Sequence, residues 1–121
     1  MVKALFDTNI LIDALKGIKQ ARAEIERYDQ AAISIITWME VMVGAESAVA
    51  PATQAFLRGF GLIALDDKIA ARAVALRQHH RVRLPDAIIW ASAQVGNMLL
   101  VTRNTKDFPA DDPSIRMPYL L

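Results

Sequence analysis

Four acidic residues fall at junctions between predicted strands and predicted helices. They are Asp7, Glu40, Asp86 and Asp107. Clustered carboxylates raise one another's pKa values unless a cation neutralises them. In a chain without cysteine or a histidine pair at ligand spacing, such oxygen ligands favour Mg²⁺ or Mn²⁺ over Zn²⁺. A site of this kind suits phosphodiester chemistry, because a metal ion can activate an attacking water and stabilise charge on the phosphate.

Each of these acids also has a purely structural interpretation. Asp7 and Asp86 could cap the helices that they precede or begin. Glu40 could complete a capping box with Thr37. Asp107 could hydrogen-bond the backbone of its own loop. Any one of these interpretations is adequate alone, so the case for chemistry depends on whether the fold brings the acids together.

Short apolar runs alternate along the chain with stretches of helical periodicity. The apolar and β-branched runs predict strands at 2–6, 31–36, 62–65, 98–102 and 115–117. Helical spacing predicts helices at 9–16, 18–28, 37–48, 52–58, 68–79 and 86–95. Gly17 is expected to end the first helix, and Asp66 or Asp67 to cap the fifth. This order predicts a three-layer α/β/α sandwich around a central, mainly parallel sheet of four or five strands.

The predicted topology brings the acids to one edge of the sheet. Loops that follow parallel strands share the carboxyl edge, so Asp7, Glu40 and Asp107 are expected near one another. Asp86 begins a helix just before the strand at 98–102. That helix is expected to run antiparallel to the strand that follows it, so it starts level with the carboxyl end of the strand. Asp86 is therefore expected to face the same edge.

Composition favours one ordinary globular domain. The chain has 121 residues, 54% of them hydrophobic, and a net charge of +1. We expect a single domain spanning 1–121, with any nucleic-acid affinity coming from local patches. The absence of cysteine excludes disulfides and fits a reducing compartment. With no secretory signal and no apolar segment long enough to cross a bilayer, we expect a cytoplasmic protein without a membrane partner.

Four motifs contain the acids and follow one another along the chain. They are Phe6-Asp7-Thr8-Asn9, Ser34-Ile35-Ile36-Thr37-Trp38-Met39-Glu40, Leu84-Pro85-Asp86-Ala87-Ile88-Ile89-Trp90-Ala91 and Val101-Thr102-Arg103-Asn104-Thr105-Lys106-Asp107-Phe108. In this order they resemble the motifs of PIN-domain ribonucleases, and most closely those of the VapC-type toxins of bacterial toxin–antitoxin pairs. Each motif alone is weakly specific, whereas the ordered set spans almost the whole chain. The chain is short for that family, so its middle helices are expected to be shorter than those of other members.

The resemblance implies a metal-dependent endoribonuclease that is usually a homodimer and is inhibited by a small antitoxin protein. It implies hydrolysis of RNA with the aid of Mg²⁺ or Mn²⁺ and without a covalent enzyme intermediate. By match of motif, the places of the metal-binding and catalytic acids are taken by Asp7, Glu40, Asp86 and Asp107. The places of supporting polar residues are taken by Thr8, Thr102 and Asn104. A partner is expected to cover the acidic edge.

A basic stretch precedes Asp86 and ends in Arg81 and Arg83. It is either a solvated helix face or a contact to the RNA backbone beside the acids. His79 and His80 are adjacent, so on a helix they would point apart, and a surface position is expected.

Other residues are assigned structural roles. Trp38 and Trp90 are expected in the core or at an interface rather than as platforms for bases. The remaining aspartates are expected to be surface acids or caps, namely Asp13, Asp66, Asp67, Asp111 and Asp112.

Two other functions fit parts of the sequence. One is a degenerate PIN-like protein that binds a partner without catalysis, which the presence of all four acids disfavours. The other is a magnesium-dependent phosphatase or phosphotransferase on a similar scaffold. Asn9 stands where haloacid-dehalogenase-like phosphatases have a second Asp. Asp66 could act as the phospho-acceptor of a receiver domain, but the context of Lys106 fits such a domain poorly.

Overall fold

In the computed structural model, which describes residues 2–121, five strands and six helices follow one another in the predicted succession. The strands are β1 (Lys3–Phe6), β2 (Gln30–Ser34), β3 (Gly61–Ile63), β4 (Leu99–Val101) and β5 (Ile115–Arg116). The helices are α1 (Thr8–Leu15), α2 (Lys19–Glu26), α3 (Ile35–Val43), α4 (Ala50–Leu57), α5 (Asp67–His79) and α6 (Leu84–Val95). Each predicted element is present, with shifted ends.

The strands form one sheet in the order β3-β2-β1-β4-β5, and every pairing in it is parallel. The central strand is β1, in which Leu5 lies level with Ala32 of β2 and Leu100 of β4. Because all strands run the same way, the segments that leave β1, β2 and β4 emerge at one edge. This edge is the one predicted to collect the acids.

A separate apolar core covers each face of the sheet. Ala4 and Phe6 of β1 pack against residues of α1 to α4, whereas Leu5 packs against α5 and α6. Alternate strand residues point to opposite faces, so a strand that is covered on both sides is apolar throughout. The two cores on either side of the sheet confirm the predicted three-layer α/β/α sandwich.

The start of α3 differs from the prediction. The helix begins at Ile35, and the hydroxyl of Ser34 accepts a hydrogen bond from the backbone N–H of Ile36. The predicted capping box is therefore wrong, because Thr37 already lies inside the helix. The β-branched residues after Ser34 predicted a longer strand, but a capping hydroxyl ends the strand two residues earlier.

Other helix ends follow the sequence signals. Gly17 has a φ of 84°, a left-handed conformation that favours glycine after a helix. Asp66 accepts a hydrogen bond from the backbone N–H of Ile69 and caps α5, as expected. Pro51 lies in the first turn of α4 instead of before it. Within residues 2–121, no helix combines the length and the apolar character that crossing a membrane requires.

Candidate active site

Asp7 lies at the carboxyl end of β1 and is almost fully buried. Its Oδ1 accepts a hydrogen bond of 2.8 Å from the backbone N–H of Thr8, so it caps α1 as predicted. The hydroxyl of Thr102, just after β4, donates to Oδ2 at 2.7 Å. The amide of Asn9 lies 3.4 Å from the same Oδ2. Neighbouring strands and the first helix thus fix both oxygens.

The pKa of Asp7 is raised from 3.8 to about 6, and burial is the largest cause. Hydrogen bonds from Thr102 and Thr8 oppose this rise, and the charges of Asp86 and Glu40 contribute to it. A carboxylate with this pKa is ionised at neutral pH, although its negative charge lies in a poorly solvated position. A bound cation would favour that ionised form.

Asp86 lies in the first turn of α6, and its Oδ2 is buried without a hydrogen-bond partner among the described residues. Burial raises its pKa, Arg83 lowers it, and the charges of Asp107 and Glu40 raise it. The Nε of Arg83 is 3.8 Å from Oδ2, too far for a hydrogen bond. An unpartnered buried carboxylate oxygen is unfavourable. This oxygen therefore fits a position for a cation.

Glu40 lies in α3 and is exposed at the same edge. The hydroxyl of Thr8 donates a hydrogen bond of 2.7 Å to its Oε1 and lies 3.0 Å from the hydroxyl of Thr37. Glu40 is therefore oriented by the start of α1 and not by the cap of its own helix. The predicted supporting residue Thr8 contacts two of the four acids, Asp7 through its N–H and Glu40 through its hydroxyl.

Asp107 lies in the loop after β4 and forms a reciprocal pair with Asn104. The amide of Asn104 donates to Oδ2 of Asp107 at 2.9 Å, and the N–H of Asp107 donates to Oδ1 of Asn104 at 3.0 Å. The N–H of Asn104 donates in turn to the hydroxyl of Thr102. The structural interpretation of Asp107 is therefore wrong in its partner, because the carboxylate accepts from the side chain of Asn104 and not from the loop backbone. These bonds hold the carboxylate in place, close enough to Asp86 for their charges to interact.

The fold brings all four predicted acids to one edge, close enough for their charges to interact. The charges of Asp86 and Glu40 act on Asp7, and those of Asp107 and Glu40 act on Asp86. In the part of the chain that the structure describes, however, no three His, Cys, Asp or Glu side chains form a ready-made group of metal ligands. The residues still fit a divalent cation, because they offer hard oxygen donors whose negative charges repel one another. Oδ2 of Asp86, which has no hydrogen-bond partner among the described residues, is a free donor for such an ion.

Comparisons with known proteins agree with this arrangement. The model of the PIN domain family matches residues 4–110. The chain belongs to the PIN-domain family. Ribonuclease VapC10 of Mycobacterium tuberculosis is 30% identical over 113 residues, which cover 87% of this chain and 85% of the relative. This similarity confirms the VapC-type resemblance of the four motifs.

Solved structures give the same result. A toxin–antitoxin complex from Klebsiella pneumoniae contains a chain that is 50% identical, with a TM-score of 0.93 over 98% of this chain and 100% of that one. A DNA-bound VapBC from Salmonella typhimurium contains one that is 26% identical, with a TM-score of 0.74 over 96% of each chain. The fold of this PIN domain is therefore that of the toxin–antitoxin structures it matches.

The basic residues before α6 are exposed, as expected for either interpretation of them. Arg81 and Arg83 flank the buried Val82, and the side chain of Arg83 is 82% exposed beside Asp86. Arg83 is therefore a cation at the rim of the acidic edge of this PIN domain.

The histidines and tryptophans follow their predicted roles. His79 and His80 lie on the surface, and His80 packs on the ring of Trp90. Trp90 is buried in the core between the sheet and α5, and Trp38 packs against the opposite core.

Sequence reasoning missed the roles of Asn9 and Arg103 near the site and misplaced Asp13. The side chain of Asn9 connects Asp7 to the N–H of Arg103. Asp13 was expected to be a surface acid or cap, and this is wrong: it is 4% exposed and is bound by Arg103 and a tyrosine. The spacing held a signal, because Asp13 follows Asn9 by one helical turn and so shares its face of α1.

Proposed function

We propose that this PIN domain is a metal-dependent endoribonuclease that hydrolyses RNA phosphodiester bonds and acts as the toxin of a toxin–antitoxin pair. The observation that carries the proposal is the meeting of Asp7, Glu40, Asp86 and Asp107 at the carboxyl edge of one parallel sheet. Two kinds of relative support it. One is named a ribonuclease, and the others are toxin–antitoxin complexes.

The cofactor we propose is Mg²⁺ or Mn²⁺. Asp7 and Asp86 would hold the principal ion because both have raised pKa values. Asp7 is buried, and Oδ2 of the half-buried Asp86 has no hydrogen-bond partner among the described residues. Glu40 and Asp107 complete the donor set. When bound, the ion would neutralise the carboxylates, help to deprotonate a water and offset charge on the phosphate.

The other residues of the site orient these acids. Thr102 and Thr8 each fix one oxygen of Asp7, and Asn104 holds the carboxylate of Asp107. Glu40 is exposed at the edge, so we assign it to orient the attacking water and accept its proton. Outer hydrogen bonds of this kind typically change metal affinity or activity by about 10- to 100-fold when they are removed.

Arg81 and Arg83 are proposed to contact the RNA backbone. Their charges would offset the repulsion between phosphate and the acids, and the exposed Arg83 lies beside Asp86. Changing both to Ala should weaken RNA binding and reduce the slope of log affinity against log salt by about 1 to 2. Lys19→Ala with Arg22→Ala, on the exposed side of α2, is the matched control. Unchanged affinity and slope would refute the contact.

The partner we propose is a small antitoxin protein that covers the acidic edge of a PIN-domain homodimer. Met39 and Val43 of α3 flank Glu40 with exposed apolar side chains, a feature of surfaces that bind other proteins. The proposed compartment is the cytoplasm, where RNA is available, and the proposed organisation is one domain over 1–121. Light scattering of the chain alone and copurification from its native operon test the dimer and the antitoxin. A monomer, or a chain isolated alone, would count against them.

The test of the proposed activity is RNA cleavage with Mg²⁺ or Mn²⁺, compared with the same reaction in EDTA. Asp7→Asn should abolish cleavage, whereas Asp67→Asn, which changes an exposed acid at the start of α5, should leave it intact. Cleavage that survives both EDTA and Asp7→Asn would overturn the metal mechanism. Glu40→Gln separates chemistry from structure, because full activity in this variant would remove Glu40 from the catalytic set.

A non-catalytic PIN domain is the second candidate. It is favoured by the lack, among residues 2–121, of a preassembled group of three metal ligands. It is disfavoured by the presence and proximity of all four acids, and family membership counts against the phosphatase and phosphotransferase interpretations. Calorimetric titration with Mn²⁺ distinguishes the two candidates, because a non-catalytic domain without a metal site would release no binding heat.

A further inference from the structure

Asp13 of α1 is a buried carboxylate that the proposed chemistry does not use. Arg103 binds it with two hydrogen bonds, from Nε at 2.5 Å and from Nη2 at 3.0 Å. The hydroxyl of Tyr119 donates a third at 2.7 Å. Burying a carboxylate is costly unless its oxygens are paired in this way. The arrangement therefore fixes the side chain of Arg103 firmly against α1.

Arg103 also belongs to residues 102–107, the segment that carries part of the active site. It lies between Thr102, which bonds to Asp7, and Asn104, which bonds to Asp107. Its own backbone N–H donates to the amide oxygen of Asn9 at 3.2 Å. Both the main chain and the side chain of Arg103 are thus attached to α1, and a shift of Arg103 would shift its two neighbours.

We propose that Asp13 is a positioning residue for the active site. By holding Arg103, with Tyr119 closing the ion pair, it fixes the path of residues 102–107 and so sets the positions of Thr102 and Asp107 at the acidic edge. The effect on RNA cleavage rests on the proposed function. The effect on the geometry of residues 102–107 does not.

The chain contains a matched control in a second network of the same chemistry. Glu24 of α2, also 4% exposed, accepts hydrogen bonds from Nε and Nη2 of Arg116 at 2.7 and 3.1 Å. The hydroxyl of Tyr28 donates to it at 2.9 Å. Arg116 belongs to β5, where its carbonyl accepts the backbone N–H of Thr102 at 3.0 Å, but its side chain bonds to α2 and not to α1. Disrupting this network tests the general cost of breaking a buried ion pair.

The first measurement is amide hydrogen exchange followed by NMR, which needs no RNA and no metal. Three backbone N–H groups report on residues 102–107, because those of Arg103, Asn104 and Asp107 each donate to a side-chain oxygen. Asp13→Asn should lower their protection by about tenfold or more relative to the slowest amides of β1, which corresponds to about 1.4 kcal/mol of local opening free energy. Glu24→Gln should leave this ratio unchanged.

Milder variants keep the proposal testable if Asp13→Asn folds poorly. Tyr119→Phe removes only the third hydrogen bond and should produce a smaller loss of protection at the same three amides. Tyr28→Phe is its control. The proposal is overturned if residues 102–107 stay fully protected in the folded variants of the Asp13 network. It is equally overturned if the variants of the Glu24 network reduce protection there as much.

The second measurement is kinetic. For Asp13→Asn we expect kcat for RNA cleavage to fall by about 10- to 100-fold with little change in KM, because positions within the site change while the RNA-binding surface does not. Asp13→Glu, which restores the charge, should recover part of the loss, and Glu24→Gln should retain the wild-type kcat. If the wild-type protein cleaves no RNA, the proposed function fails, while the exchange measurement still decides the positioning role.

Discussion

Replacing Asp7 with asparagine should stabilise the metal-free protein at neutral pH. Burial raises the pKa of Asp7 from 3.8 to about 6, even though Thr102 and Thr8 donate hydrogen bonds to it. At about 1.4 kcal/mol per pKa unit, ionising this carboxylate costs the folded state about 3 kcal/mol. Asparagine has almost the same shape and no charge, so the variant avoids that cost.

The sign of the pH dependence follows from the direction of the pKa change. The folded protein binds the proton of Asp7 more tightly than the unfolded chain does. The stability that comes from this proton is fully present below the unfolded pKa of 3.8 and is lost as the pH rises through about 6. Between about pH 4 and pH 7, the free energy of unfolding of the wild-type protein should therefore fall relative to that of Asp7→Asn.

Urea unfolding in EDTA buffers across this range measures the effect. The variant and the wild type should differ little near pH 4, and the variant should be more stable by about 3 kcal/mol above pH 7. Taking the difference between the two proteins cancels groups that titrate identically in both. Asp67→Asn, which changes an exposed acid, should show no such pH-dependent gain. A variant that is no more stable than the wild type at neutral pH would refute the reasoning.

Three further predictions concern the cation, acid stability and the turn after α1. Mg²⁺ at about 100 times its Kd should stabilise the wild type by about 2.7 kcal/mol and Asp7→Asn much less; equal thermal shifts would place the ion elsewhere. Burial raises the pKa of Asp13, but its bonds to Arg103 and Tyr119 outweigh this and leave the pKa below 3.8. The ionised Asp13 therefore stabilises the folded protein above pH 3.8, and this stabilisation is lost as the pH falls through the lowered pKa of the folded state. In Asp13→Asn, the free energy of unfolding in urea should fall less steeply with acid than in the wild type. An equally steep fall would contradict this. Gly17→Ala should cost about 1 kcal/mol because φ is 84° there; no loss in urea unfolding would mean that the turn relaxes.

Much of the fold could be predicted because local pattern and burial agree. The run 98–102 is apolar without alternation, which indicates a strand covered on both faces, and β4 is such a strand. The strand order could not be predicted in this way. It depends on which helices pack together across each face, and no single segment of the sequence carries that information.

The location of the acidic edge followed from topology, whereas its hydrogen bonds did not. The interpretation of Glu40 as part of a capping box used residues of one helix alone. In the structure, the hydroxyl of Ser34 takes the capping role, and Thr8 from a different helix binds Glu40. Asp13 was misplaced for a similar reason. Helical spacing identifies its face of α1, but its partner Arg103 lies 90 residues further along the chain.

The two interpretations of Asp7, helix cap and metal ligand, prove to be compatible. One oxygen caps α1 and the other receives the hydroxyl of Thr102, yet burial still leaves the pKa near 6. The hydrogen bonds therefore orient the carboxylate without fully compensating its charge. Oδ2 of the neighbouring Asp86 has no hydrogen-bond partner within residues 2–121. A cation that binds here relieves a cost that folding has already imposed. For this reason, Asp7→Asn is expected to raise metal-free stability, to reduce stabilisation by the metal strongly and to abolish RNA cleavage.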